Sequence, residues 1–99
     1  MVTLEEIKIG SHTAAGTLIK APGGEGHPNI IEITCEKGFL MCGYINLAAA
    51  GKFGDAAVQV GGADFDAVLK NPIKGMTPAA EKLGVQMGMT GYEAAEKLF

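Results

Sequence analysis

Polar and apolar residues alternate at the start of the chain, and the alternation dies away toward its end. Over VTLEEIKI (residues 2–9), Ile7 and Ile9 fall on one face of an extended chain and Glu6 and Lys8 on the other. That period of two marks a half-buried strand. Gly10, Ser11 and His12 make a turn, and TAAGTLIK (residues 13–20) reads as the returning strand of a hairpin. Gly16 inside it marks a bulge or a close backbone approach. APGGEGHPN (residues 21–29) carries too much proline and glycine for regular structure and predicts a loop. IIEITCE (residues 30–36) is the clearest strand, with Ile31, Ile33 and Cys35 on one face. Lys37-Gly38 predicts a tight turn into FLMC (residues 39–42). With no polar position, that strand is expected to be central and covered on both faces.

Beyond Gly43 the period changes. YINLAAAGKF (44–53) predicts a short helix, apolar all round and therefore buried. AAVQV (56–60) reads as a fifth strand, and Gly61-Gly62 turns the chain into DFDAVLK. There Asp64 is a natural cap, Phe65, Val68 and Leu69 form the apolar face, and Asn71-Pro72 is the stop. The last third holds an echo: GMTPAAEKLG (75–84) and GMTGYEAAEKLF (88–99) both predict threonine-capped helices. Pro78 stands at the first helical position and Thr90 with Glu93 makes a capping box. VQM (85–87), which joins them, is a candidate for an extra edge strand. Strands first and helices later predict an α+β fold: a two-layer sandwich, mostly antiparallel sheet with helices packed on one face.

Length and composition narrow the function. Ninety-nine residues fit one domain, 1–99, able to hide roughly 60–70% of its unfolded surface. All eight basic residues are lysines and the net charge is −3. Without the arginine fork or a basic patch, no nucleic-acid partner is expected. No apolar run approaches the ~20 residues of a membrane span, so no membrane association is expected. MVTLEEIKIG lacks the features of a signal peptide, and the expected location is cytoplasmic. The two cysteines are then expected as free thiols.

Few residues carry candidate chemistry. Cys42 precedes a predicted helix, where backbone amides lower a thiol pKa. Leucine at position 40 and tyrosine at position 44 replace the glycines of a nucleophile elbow, however, and free cysteine usually packs as a small hydrophobe. Packing is the favoured reading of Cys42; a reactive thiol with His12 or His27 as base is the alternative. Cys35 is expected in the core. The cysteines and histidines lack metal-ligand spacing, so no metal is expected, nor any cofactor. GGEGHP (23–28) lacks the Lys-Ser/Thr of a phosphate loop and is read as a hairpin connection, with a ligand-covering flap as the alternative. Gly43, Gly61 and Gly62 are candidate ligand-binding positions. At Gly61-Gly62, Asp64 and Asp66 favour self-capping of the helix over anion binding.

FLMCGYINL (39–47), VQVGGADFDAVLKNPI (58–73) and TPAAEKLGVQMGMTGYEA (77–94) carry a further signal. From Gly38 to the C-terminus the chain resembles the YunC-like family of small bacterial and archaeal proteins. The MCG triplet (41–43) and GMTG (88–91) are its most recognisable parts. The resemblance implies a two-layer α/β sandwich and no established activity. It also implies basic residues near position 55 or 56, in the turn before the DFDAVL helix, and after the GMTG glycine. This chain has Asp55 or Ala56, Gly61 or Gly62, and Tyr92 there. Tyr92 thereby joins the candidate ligand-binding residues, and an anion site built on those charges is not expected here.

The sequence therefore leads to a small cytoplasmic binding or assembly domain without catalysis, forming a homo-oligomer, with a small-molecule ligand left open. Tyr44, Met87, Met89 and Phe99 are the candidate contact residues. The alternative is a cysteine-dependent enzyme or thiol sensor built on Cys42.

Overall fold

Among the described residues, six strands form one sheet in the order β1-β2-β3-β4-β5-β6, which is also their order along the chain. The computed structural model describes all residues except Gly24 and Glu25, so that part of the expected loop or flap at residues 23–28 lies outside the described residues. Strands β1 (Val2–Ile9), β2 (His12–Ile19), β3 (Ile30–Thr34) and β4 (Gly38–Met41) form an antiparallel meander. Strand β5 (Ala56–Gln59) pairs parallel to β4, and β6 (Gly75–Met76) returns antiparallel to β5. A parallel neighbour requires a crossover, and α1 (Leu47–Lys52) supplies it. Helices α2 (Phe65–Lys70), α3 (Pro78–Lys82) and α4 (Gly91–Glu96) complete the chain. This is the expected α+β architecture with a mostly antiparallel sheet.

The alternation in the strands selects the core. Ile7, Ile9, Ile31, Ile33, Leu40 and Val58 share one face and pack against Phe65 and Val68 of α2, Ala80 of α3, and Ala94, Ala95 and Leu98 at the end of the chain. Gly91 brings α4 onto α2 so closely that a Cβ there would collide with the carbonyl oxygen of Val68. The opposite face has a smaller cluster, in which Met41 and Ala57 pack under Ala50 of α1 with Phe39, Ile45 and Leu47 beside them. Strand β4 is thus covered on both faces, as its sequence predicts. The main helical layer covers one face of the sheet, and α1 adds a patch on the other.

Local chemistry places the helices. Asp64 accepts from the Ala67 amide, and Thr90 with Glu93 forms the complete capping box. Thr77 goes beyond its expected cap. Its buried hydroxyl donates to the Asp55 carbonyl at 2.6 Å and accepts from the Ala57 amide at 3.0 Å and the Ala80 amide at 3.4 Å. One side chain therefore fastens the start of α3 to the start of β5.

Three local expectations shift. Helix α1 begins at Leu47 because Asn46 caps it, accepting from the Ala49 amide. Tyr44 stays outside it and Phe53 follows it as an exposed C-cap, so α1 buries one side rather than its whole circumference. The β3–β4 turn spans residues 35–37, two positions earlier than expected, closed by the Cys35 amide on the Gly38 carbonyl. Residues 85–87 form no strand; the edge strand is β6, and Val85 is buried in the core instead. Packing of an apolar valine, not ladder pairing, satisfies that segment.

Candidate functional site

Because β4 and β5 run parallel, their carboxyl ends lie at the same end of the sheet. Their antiparallel neighbours β3 and β6 begin there. Four segments converge on a cleft of about 420 Å³: Pro28 and Asn29 before β3, Cys42 to Tyr44 after β4, Gly61 and Gly62 after β5, and Lys74 before β6.

Cys42 marks where the chain leaves the sheet. Its amide donates to the Ile31 carbonyl at 3.0 Å, as in a continued ladder. Its own carbonyl turns away and accepts from the Ile45 amide at 3.2 Å, closing a turn through Gly43 and Tyr44. The Ile31 amide is left for the side chain, and the Cys42 sulfur accepts it at 3.4 Å. The residue is only 6% exposed, so the cleft meets the edge of a largely buried thiol.

The second glycine segment is tied from both sides. The Asn29 side-chain amide donates to the Ala63 carbonyl at 3.0 Å, and that of Asn71 to the Gly61 carbonyl at 2.8 Å. The Lys74 ammonium lies over Gly61, 3.0 Å from where a Cβ would stand. Gln59 stands less close to Gly43, with its side-chain nitrogen 3.4 Å from a Cβ placed there. Asp64 is committed to capping α2 and Asp66 pairs with Lys70 at 2.9 Å. Lys74 is therefore the charged lining group, beside the Tyr44 ring, Pro28 and the Asn29 amide.

The structure gathers Cys42, Gly43, Gly61 and Gly62 from the candidate positions and separates the rest. His12 opens β2 at the other end of the sheet. Ile31, across from Cys42, registers with Leu18, and His12 lies six residues from Leu18 along β2, about 20 Å away at ~3.3 Å per residue. Its ring stacks on Phe99, with centroids 4.5 Å apart and an interplanar angle of 5°. Tyr92 belongs to that far end as well, where its hydroxyl accepts from the Gly10 amide at 2.7 Å. His27 lies nearer the cleft, in the β2–β3 loop, and its ring packs against Gly23. Among the described residues no imidazole hydrogen bonds to Cys42.

Cys35 lies beyond β3 at the far end, 8% exposed. Burial, and secondarily the charge of Glu32, pushes its thiol up to about 12. Burial raises Glu32 in turn, opposed by the Thr34 hydroxyl that donates to it at 2.5 Å. Among the described residues, no three His, Cys, Asp or Glu side chains cluster to hold a metal, and no helix is long and apolar enough to cross a membrane.

Sequence reasoning missed Asn29, Asn71 and Lys74. Asn71 read only as a helix stop, and Asn29 only as loop. A lysine one residue before a two-residue strand has no local signature at all.

The chain that builds this cleft belongs to a family of proteins without an assigned function: residues 41–98 match the model of the Domain of unknown function (DUF1805). The match begins at the end of β4 and takes in every cleft segment except Pro28 and Asn29. The chain is 30% identical to the uncharacterized protein YunC of Bacillus subtilis (strain 168), over 99% of its own length and 98% of that protein's. Its fold is similar to the crystal structure of TA1206, a protein of unknown function from Thermoplasma acidophilum. That likeness has a TM-score of 0.89 and 28% identity, covering 100% of this chain and 94% of the other. The expected YunC-like relationship is therefore shown, and the family and both relatives carry no assigned activity.

Proposed function

We propose that this chain is a small-ligand-binding domain rather than an enzyme, and that the ligand occupies the cleft at the carboxyl ends of β4 and β5. The convergence of four strand ends on that cleft carries the reading. Open α/β sheets hold ligands in crevices outside the carboxyl ends of their strands, where neighbouring connections depart to opposite faces, and here β4 leads to α1 on one face and β5 to α2 on the other. The Asn29 and Asn71 bonds hold one wall in place before a ligand arrives, which lowers the ordering cost of binding. An apolar body would cover Pro28 and Tyr44, and an acceptor group would meet Lys74. The groove between α1 and α3, about 630 Å³, is larger, but Leu47, Ala48, Met76 and Pro78 give it few polar groups to orient a ligand.

Cys42 acts in this reading as wall and hydrogen-bond acceptor. A base within reach is one common way to activate a thiol; His12 is bound up with Phe99 at the far end, and the His27 ring packs on Gly23 with no hydrogen bond to Cys42. A reducing, cytoplasmic setting belongs to the same reading, supported by the two free thiols. The lack of arginine supports a function without nucleic acid.

Benzoate and its neutral analogue benzamide test the site. Titrated into the ¹⁵N-labelled protein, benzoate is expected to shift the amides of Gly43, Tyr44, Gly61, Gly62 and Lys74, benzamide to bind more weakly, and Lys74→Ala to erase the difference. Shifts confined to the α1–α3 groove, or none from either compound, would remove the assignment.

A further inference from the structure

We infer that β1 is a homodimer interface, at which two copies pair their first strands antiparallel about a two-fold axis through Ile7. Strand β1 is the long edge of the sheet, eight residues with β2 on one side only. A long unpaired edge is a template for another strand unless something blunts it. No proline or bulge interrupts Val2–Ile9, which registers residue for residue with β2.

The hydrogen-bond phase of the hairpin decides which groups are free. Gly10, with φ of 62°, opens a two-residue turn, so the closing pair Ile9 and His12 is a hydrogen-bonded one. Bonded and non-bonded pairs then alternate along an antiparallel ladder. The Lys20 amide donating to the Met1 carbonyl at 3.0 Å shows the same phase at the other end. Odd-numbered residues of β1 therefore spend their amides and carbonyls on β2. Val2, Leu4, Glu6 and Lys8 present theirs outward.

Charge selects the register. A continuous sheet keeps each face on its own side, so a two-fold axis passes through one β1 residue and its copy. An axis at Glu5, Glu6 or Lys8 sets that residue against its own like charge. An axis at Ile7 instead places Glu6 of each copy directly opposite Lys8 of the other, twice by symmetry. Both are exposed, and both belong to the set with outward backbone groups, so each pair also exchanges two ladder hydrogen bonds. The Lys8 ammonium rests on the Thr13 hydroxyl at 2.9 Å within its own hairpin and has further protons to donate. Other registers also avoid directly opposed like charges, with axes at Val2, Thr3, Leu4 or Ile9, but none sets Glu6 against Lys8, and the one that pairs most of the strand has its axis at Leu4. It opposes Leu4 to itself and Val2 to Glu6, and gains no ion pair.

Charge exchange tests the interface. The wild-type protein is expected to sediment as a dimer. Glu6→Lys and Lys8→Glu should each weaken it roughly tenfold or more, since each replaces two attractive pairs by two repulsive ones. The double variant Glu6→Lys with Lys8→Glu should recover affinity to near wild type. Circular dichroism establishes that the variants, altered only on an exposed face, are folded. In mixed ¹⁴N and ¹⁵N protein, a zero-length carbodiimide should join Glu6 of one isotope to Lys8 of the other. A monomer at all concentrations would overturn the inference. So would a dimer indifferent to both charge reversals and split by Leu4→Lys, which would move the axis toward the start of the strand.

Discussion

The Ile31 amide donates to the sulfur of Cys42 at 3.4 Å, in the place where a regular ladder would offer it the Cys42 carbonyl. That carbonyl has turned to the Ile45 amide to launch the Gly43-Tyr44 turn. The thiol thus lets the backbone leave the sheet without orphaning a buried donor on β3.

Cys42→Ala should accordingly destabilise the fold by about 1–3 kcal/mol, the penalty for an unpaired buried amide. Cys42→Ser keeps an acceptor and should recover much of that loss. Urea unfolding of the three proteins measures it. If Ala and Ser were equally mild, the sulfur would be filler and not an acceptor.

The two thiols should react in order. Both are buried, but Cys42 borders the cleft, whereas Cys35 lies at the far end with its thiol pushed up to about 12. Under native conditions a disulfide reagent should modify Cys42 first and Cys35 only on unfolding. His12→Ala should leave the Cys42 rate unchanged, because that ring stacks on Phe99 about 20 Å away. A rate that fell with His12 would revive the enzyme reading.

Cys35 also predicts a pH dependence. Its folded pKa is raised from an ordinary 9.0 to about 12, first by burial and then by Glu32. The folded state keeps a proton that the unfolded chain releases. The thiol therefore leaves stability untouched below pH 9 and erodes it from there toward 12, with a limiting slope of ~1.4 kcal/mol per pH unit. Comparing wild type with Cys35→Ala between pH 8 and 11 isolates that slope, which the variant should lack.

Thr77 is the buried polar residue that joins three backbone groups. Thr77→Val keeps the shape and removes the hydroxyl, so it loses a helix cap and strands the Ala57 amide. A cost of about 2–4 kcal/mol is expected. That lowers the melting temperature by ~4–8 °C per kcal/mol in a domain of this size. Thr77→Ser should stay within about 1 kcal/mol, missing only a methyl group. A Thr77→Val variant as stable as wild type, with the loss confined to Thr77→Ser, would show that the methyl, not the hydroxyl, matters.

Gly91→Ala tests helix packing. The added Cβ meets the Val68 carbonyl, which is backbone and cannot swing aside. The cost should reach or exceed the upper part of the ~1–3 kcal/mol typical of overpacking, even though alanine is the better helix former. A stabilised variant would mean that α4 does not sit against α2 as described.

Much of the fold was legible along the chain because its causes are local. The alternation in residues 2–9 and 30–34 chose which isoleucines face inward. Asp64, Thr77 and Thr90 capped the helices they precede, since a cap needs only the next turn of backbone. The extent of α1 was misjudged for the converse reason. A run of alanines does not reveal which side will meet a sheet, and Phe53 finished 83% exposed.

The site was legible only in part. Cys42, Gly43, Gly61 and Gly62 announced turns after strands, and turns are local. That these turns become neighbours follows from β4 and β5 pairing in parallel, and strand order is a property of the whole core. The same pairing brought in Asn29 and Lys74 and put His12 and Tyr92 at the opposite end. Periodicity and capping, which depend on residues a few positions apart, determined the strands, the helix starts and the inward faces. Only the tertiary structure decided which strand ends meet, because that choice rests on burying one continuous apolar face across the entire chain.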